Sequence, residues 1–194
     1  MTWVAVSAVC FGVAGLVAAQ DPVPAWELSL TEWINRAPDW VGRGLWPVMQ
    51  LGAAASPLVL AVGAVSVRRP RLAAAITVSG VTAWFAAKGV KQLFGRGRPL
   101  EYLPSITLRE GDGTGLGFVS GHSAVAAACA VCVATAFPPR WRPLPVALAA
   151  VVGLARIVHG VHLPADVVGG WALGTALGLG AVRLIGTDRP QVCS

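Results

Sequence analysis

The chain has 194 residues, 55% of them hydrophobic and only 12% charged, with a mean hydropathy of +0.66. A soluble domain carries about 25% charged residues, so the composition excludes an ordinary water-soluble globule and sets the expectation of one membrane-embedded domain over residues 1–194. The net charge of +6 comes from basic residues at the ends of apolar runs, without a stripe of Arg and Lys interleaved with aromatics, which excludes nucleic acid as a partner and leaves orientation in a bilayer as the explanation.

A spanning helix needs about 20 apolar residues. The first run, TWVAVSAVCFGVAGLVAA at 2–19, comes close to that length. It has the apolar core of a signal peptide, and VAA before Gln20 resembles a cleavage site, but no Lys or Arg precedes it. A retained first helix is therefore expected. Next comes AWELSLTEWINR, in which Trp26, Leu30 and Trp33 share one helical face and Glu27 and Thr31 turn away from it. That pattern predicts a short helix lying along the outer interface, where Trp is favoured.

Five further runs follow, at 46–67, 72–93, 120–137, 144–158 and 165–185. The run at 144–158 is short and must borrow residues at both ends. RRPR at 68–71, PPRWRP at 138–143, and Arg183 with Arg189 after the last run all fall on one side if there are six spans with both termini inside. The expected fold is all-α, an integral-membrane six-helix bundle with both termini cytoplasmic. Trp46 and Trp141 stand at span ends as interfacial anchors. Cys129 and Cys132 in AAACAVCVATAF have no second pair with which to build a zinc site and read as small packing residues. Cys10 lies inside an apolar run, and Cys193 does not complete a prenylation box.

Three polar stretches belong to the outer side. They are KQLFGRGRP at 91–99, FVSGHSA at 118–124 and RIVHGVHLPAD at 156–166. Lys91, Arg98 and Arg156 supply cations suited to phosphate oxygens. Ser120 is a good helix N-cap, and Gly121 lets a backbone with free N–H groups approach an anion. His162 precedes Asp166 by four residues, with Pro164 in the first helical turn. The carboxylate can then turn back onto one imidazole nitrogen and leave the other free to attack. His122, from another helix, can protonate a leaving oxygen. His159 reads as a satisfied structural residue, Lys88 and Arg96 as interface residues, and Arg109, Glu110 and Asp112 as members of a solvated Gly-rich loop. A rival arrangement makes His122, His162 and Asp166 metal ligands, but three nearby cations would repel the ion.

At these residues the sequence resembles the type 2 phosphatidic acid phosphatase superfamily, which also includes the vanadium haloperoxidases. Its first motif is Lys, six residues, Arg-Pro, matched by Lys91, Arg98 and Pro99. Its second is Pro-Ser-Gly-His, matched by Ser120, Gly121 and His122, with Val119 in place of the proline. Its third is Ser-Arg, five residues, His, three residues, Asp, matched by Arg156, His162 and Asp166, with Ala155 in place of the serine. The resemblance implies a metal-independent phosphatase without cofactor. His162 would be the nucleophile that becomes a phosphohistidine, Asp166 its orienting carboxylate and His122 the general acid. Lys91, Arg98, Ser120, Gly121 and Arg156 would bind the phosphoryl oxygens. The implied substrate is a lipid phosphate or diphosphate, of the polyprenyl diphosphate, phosphatidic acid or phosphatidylglycerol phosphate class, met among membrane lipids with the site on the extracytoplasmic face. The alternative is a non-enzymatic anion or phospholipid transporter, which needs the cations but neither the His–Asp pair nor the second histidine. Oligomeric state is not legible.

Overall fold

The computed structural model describes residues 2–188; Arg189 and Cys193 lie outside them. Every regular element among the described residues is helical. In chain order they are α1 (Thr2–Ala18), α2 (Ala25–Asn35), α3 (Asp39–Met49), α4 (Ser56–Ser66), α5 (Pro70–Phe94), α6 (Pro99–Tyr102), α7 (Gly121–Ala134), α8 (Pro143–Val158) and α9 (Pro164–Ile185). Proline opens α5, α6, α8 and α9, at the one helical position where a missing N–H costs nothing. α5 stops at Gly95, whose φ of 63° is left-handed and suits glycine.

Five of the six expected runs match single helices. The exception is 46–67, where the chain is α3, a short 3-10 turn (Gln50–Gly52) and α4, with the two helices bent by 69°. The Ser56 hydroxyl lies 2.8 Å from the carbonyl oxygens of both Leu51 and Ala53, its one proton serving either, and so engages groups that a continuous helix would have used. Pro57 then starts α4 without an N–H to offer. The 3-10 turn carries Gly52 against the His122 carbonyl and Cβ, so closely that no side chain fits there. The helices α5, α8 and α9 are long and apolar enough to cross a membrane, α3 and α4 qualify together as a broken span, and α1 and α7 are shorter apolar helices.

α7 is the central element, flanked by α5, α8 and α9, and α1 packs on α9. The α7–α9 contact is set by glycine. A Cβ on Gly170, Gly174 or Gly178 would come within 3.0 Å of the carbonyl oxygen of Ser120, Ala124 or Ala128, respectively. Three glycines one turn apart thus meet three carbonyls one turn apart, the small-residue packing of membrane helices. Cys129 and Cys132 are free and buried, and Cys132 Sγ lies 3.4 Å from Ser79 Oγ. Cys10 is free and exposed on the outer surface of α1.

Large apolar side chains such as Trp3, Phe85, Leu93 and Leu184 face outward, while Glu27, Arg96 and Asp166 are buried. An apolar exterior around a charged interior suits lipid rather than water. The ends of the bundle differ. At one, Arg69 Nη1 donates to Ala136 O (3.3 Å), and Asp188 accepts from the backbone N–H groups of Arg71 and Leu72 (3.0 and 3.3 Å). This gathers the basic loops. At the other end meet α2, the C-termini of α5 and α8, and the N-termini of α7 and α9.

The glycine contact gives a paired expectation for the purified protein. Gly174→Ala, whose methyl must push a backbone carbonyl aside, lowers the thermal unfolding temperature. Gly180→Ala, with nothing within 4 Å, leaves it unchanged or raises it by the gain of about 0.5–1 kcal/mol that alanine has over glycine in a helix. Equal effects of the two substitutions would contradict the assigned contact.

Candidate active site

Asp166 is the third residue of α9 and has no exposed surface. Its Oδ2 accepts from the Leu163 backbone N–H (2.9 Å) and lies 3.2 Å from His162 Nδ1. Its Oδ1 accepts from Arg96 Nη1 (3.2 Å). With Nδ1–H given to the carboxylate, the lone pair of His162 is on Nε2. The Asp166 carbonyl accepts from Ser120 N–H (2.8 Å), which joins the start of α9 to the start of α7. Phe118 and Val119, both fully buried, pack on Gly169. Val119, where the family motif has proline, therefore anchors the approach to α7 by apolar contact.

Ser120 caps α7. Its Oγ accepts from Ser123 N–H at 3.4 Å and from the Ser123 hydroxyl at 3.0 Å. Its side chain thus turns into the helix, which fixes the first turn carrying Gly121 and His122. Lys91, in the last turn of α5, donates to the carbonyls of Leu116 (2.7 Å) and Gly117 (2.8 Å). Those two bonds leave one N–H of the ammonium uncommitted. Gly117 is held in turn by its N–H to Arg96 O (2.7 Å). A Cβ on Gly117 would lie 2.9 Å from Asp166 Oδ2 and 2.5 Å from Gly97 O, so only glycine lets this loop pass beside the carboxylate.

Arg98 and Arg156 complete the cationic set. The Nε atoms of both, like that of Arg96, are buried without a hydrogen-bond partner among the described residues. Arg156 Nη1 donates to Glu110 Oε2 (2.7 Å) and lies 3.2 Å from Met49 Sδ. Lys91, Arg156, Arg98 and His122 all act electrostatically on His162. Together with complete burial, the first cause, they hold the pKa of its ring well below the ordinary 6.5. The imidazole is accordingly held in its neutral form near neutral pH.

Several residues differ from the sequence expectation. Arg96 is 5% exposed and is not an interface residue; it bridges Asp166 and Glu27. Arg109 is largely buried, and Glu110, though partly exposed, pairs with Arg156 rather than standing free in solvent. Arg109 donates to the carbonyls of Asn35 (3.1 Å), Ala37 (2.6 Å) and Val158 (2.7 Å) and pairs with Asp39 (3.0 Å), tying the 103–120 loop to α2, α3 and α8. A guanidinium with five donors can satisfy several carbonyls at once, and this one is used as a staple. Asp112 is solvated as expected. His159 is buried with Nδ1 2.7 Å from Ala155 O, the structural role expected of it. Lys88 stands 5.0 Å from the Trp84 ring centroid, as a cation over an aromatic face. His122, His162 and Asp166 do not form a three-ligand metal cluster among the described residues.

A sequence model of the PAP2 superfamily matches residues 70–190. An undecaprenyl-diphosphatase of Sulfolobus acidocaldarius is 27% identical over 120 residues, which cover 62% of this chain and 58% of that protein. A decaprenylphosphoryl-5-phosphoribose phosphatase of Mycobacterium tuberculosis is 36% identical over 125 residues, covering 62% of this chain and 67% of the relative. Among solved structures, LpxE of Aquifex aeolicus superposes with a TM-score of 0.73 at 21% identity over 82% of this chain and 96% of its own. A PAP2-type phosphatidylglycerolphosphate phosphatase of Bacillus subtilis has a TM-score of 0.73 at 20% identity, over 93% of this chain and 94% of its own.

The depressed pKa of His162 has a sign that can be measured. Below pH 6.5 the unfolded chain binds a proton there that the folded chain refuses, so this residue's contribution to stability is whole above pH 6.5 and is lost as the pH falls from that value. In spectra of histidine-labelled, substrate-free protein, the His162 ring stays neutral at pH 6. Titration of that ring near 6.5 would contradict the burial and charge environment described.

Proposed function

The chain belongs to the PAP2 superfamily, and on that premise we propose that it is an integral-membrane phosphatase of lipid phosphates or diphosphates working through a phosphohistidine. The observation that carries the proposal is the His162–Asp166 pair buried at the same end of the bundle as Lys91, Arg98 and Arg156. The two curated relatives are named for polyprenyl phosphate or diphosphate substrates, and the Bacillus subtilis neighbour for phosphatidylglycerolphosphate. Polyprenyl phosphates and diphosphates therefore lead the candidate class, with phosphatidic acid and phosphatidylglycerol phosphate beside them. The two curated relatives and the Bacillus subtilis neighbour are named as phosphatases or a diphosphatase, which leaves the transporter alternative without support.

The reaction runs in two displacements. Nε2 of neutral His162 attacks phosphorus while Asp166 holds Nδ1–H and stabilises the charge that develops on the ring. The bond from phosphorus to the leaving oxygen breaks, and His122 gives that oxygen its proton. Water, deprotonated by His122, then attacks the phosphohistidine, releasing inorganic phosphate and restoring both rings. Lys91, Arg98, Arg156 and the N–H groups of the α7 first turn bind the three equatorial oxygens, where charge accumulates. The buried Nε donors of Arg98 and Arg156 are compatible with this assignment, since an oxyanion would supply acceptors for them. Glu110 holds Arg156 through one carboxylate oxygen, and a bound phosphoryl group would take its place.

We also place the domain in the bilayer as six spans, counting α3–α4 as one, with both termini cytoplasmic and the catalytic end on the extracytoplasmic face. The basic ends of α4–α5, α7–α8 and α9 support that orientation. Trp26 and Trp33 of α2, both exposed, would sit in the outer interface.

In EDTA the purified wild type releases phosphate from a polyprenyl phosphate. His162→Ala lowers kcat by more than about 1000-fold, and His122→Ala by about 100- to 10,000-fold. Equal background release by wild type and His162→Ala, with lipid still bound, would end the enzymatic reading. Loss of wild-type turnover in EDTA, restored by zinc, would replace the phosphohistidine scheme with a metal-dependent one. For sidedness, Gly113→Cys is labelled by an impermeant maleimide from outside intact cells, and Arg142→Cys only after the cells are opened. The reverse pattern would invert the orientation.

A further inference from the structure

Glu27 is carried by α2, far from the three motifs in sequence, yet it has no exposed surface. Its face of α2 continues through Thr31 and Asn35, both also buried. Trp26 and Trp33 point the opposite way. The Glu27 carboxylate meets Arg96 through both Nη atoms: Nη1 lies 3.4 Å from Oε1, and Nη2 makes a close ion pair with Oε2. Arg96 Nη1 is the same atom that holds Asp166 Oδ1 at 3.2 Å. Glu27 Oε1 also accepts from the Ala165 backbone N–H at 2.8 Å. Glu27 therefore reaches Asp166 by two routes. One passes through the guanidinium to the carboxylate oxygen, and the other through the backbone N–H of Ala165, the residue before Asp166.

Stability alone gives no reason for this arrangement. Burying a carboxylate, a guanidinium and a second carboxylate is costly, and such ion groups are often replaced by apolar residues without loss of stability. What they provide is geometry. The planar fork fixes two carboxylates at one distance and orientation. Asp166 Oδ1 is thereby immobilised, so that Oδ2 is left to face His162 Nδ1. A nucleophilic ring depends on such support to keep its attacking nitrogen aimed.

We infer that Glu27 and Arg96 are positioning residues for the reaction, a buried pair from the interfacial helix α2 and the turn after α5 that locks Asp166 and, through it, the His162 ring. The inference rests on the proposed phosphatase activity. Neither residue touches the phosphoryl group, which Lys91, Arg98 and Arg156 bind independently. The expected signature is thus a loss in the chemical step with anion binding intact.

The test uses the full-length protein in detergent with a polyprenyl phosphate as substrate, and inorganic phosphate as competitive inhibitor. E27Q keeps the shape of the side chain and an oxygen for the Ala165 N–H but removes the charge. R96K keeps the charge but removes the fork. Each lowers kcat by about 10- to 100-fold, while KM and the inhibition constant of inorganic phosphate stay within about threefold of wild type. Unchanged kcat in both variants would overturn the inference. So would a loss of kcat matched by an equal loss of phosphate binding or of folded protein, because that pattern belongs to a merely structural pair. Wild type and H162A run alongside. Absence of His162-dependent turnover in wild type would sink the phosphatase reading itself, whereas normal wild-type turnover with fully active E27Q and R96K would sink this inference alone.

Discussion

A carboxylate with no surface of its own must have its charge answered from inside the protein, and the polar end of this bundle is organised around the answer given to Asp166. Its side chain binds the turn that precedes α9, the imidazole four residues earlier and a guanidinium from the end of α5. Its own carbonyl ties down the cap of α7. Three helix ends are thereby fixed to one residue. The polar groups that would be costly scattered through an apolar chain are concentrated where each supplies a partner for another.

The bundle beneath makes that convergence geometrically possible. Glycine at 170, 174 and 178 lets α9 lie directly on the carbonyls of α7, so the two helices that carry His122 and Asp166 start side by side. The break between α3 and α4 serves the same end. It turns Gly52 against His122 and brings Met49 beside Arg156. The 103–120 loop, stapled by Arg109, brings Glu110 to Arg156 and two carbonyls to Lys91.

Much of this was legible in the sequence, for identifiable reasons. His162 and Asp166 stand four apart across a proline that starts a helix, and that spacing leaves little choice of geometry. The apolar runs at 72–93, 144–158 and 165–185 became α5, α8 and α9 within two residues. The amphipathic pattern of 26–33 gave both the helix and its separation of faces. What escaped was tertiary. Nothing local to Glu27 says that the face turned away from the tryptophans is buried against another helix end, because a carboxylate on an interfacial helix reads equally well as wet. Arg96 reads from the sequence as an interface residue, because its partners lie 69 and 70 residues away. Glu110 was hidden by its glycine-rich surroundings. The run at 46–67 is apolar on average, and hydropathy does not register the proline, glycine and serine that break it.

Together these features describe a site in which a neutral imidazole is aimed by a fully paired carboxylate beside cations with donors to spare. The central claim is that His162 itself takes the phosphoryl group. Rapid quenching of the wild-type protein with a substrate labelled in its terminal phosphate, followed by peptide mapping, tests this most directly. The account predicts an acid-labile, base-stable phosphoryl label on the peptide containing His162. A label on any other residue, or turnover through the quench window with no covalent phosphate at all, would contradict it.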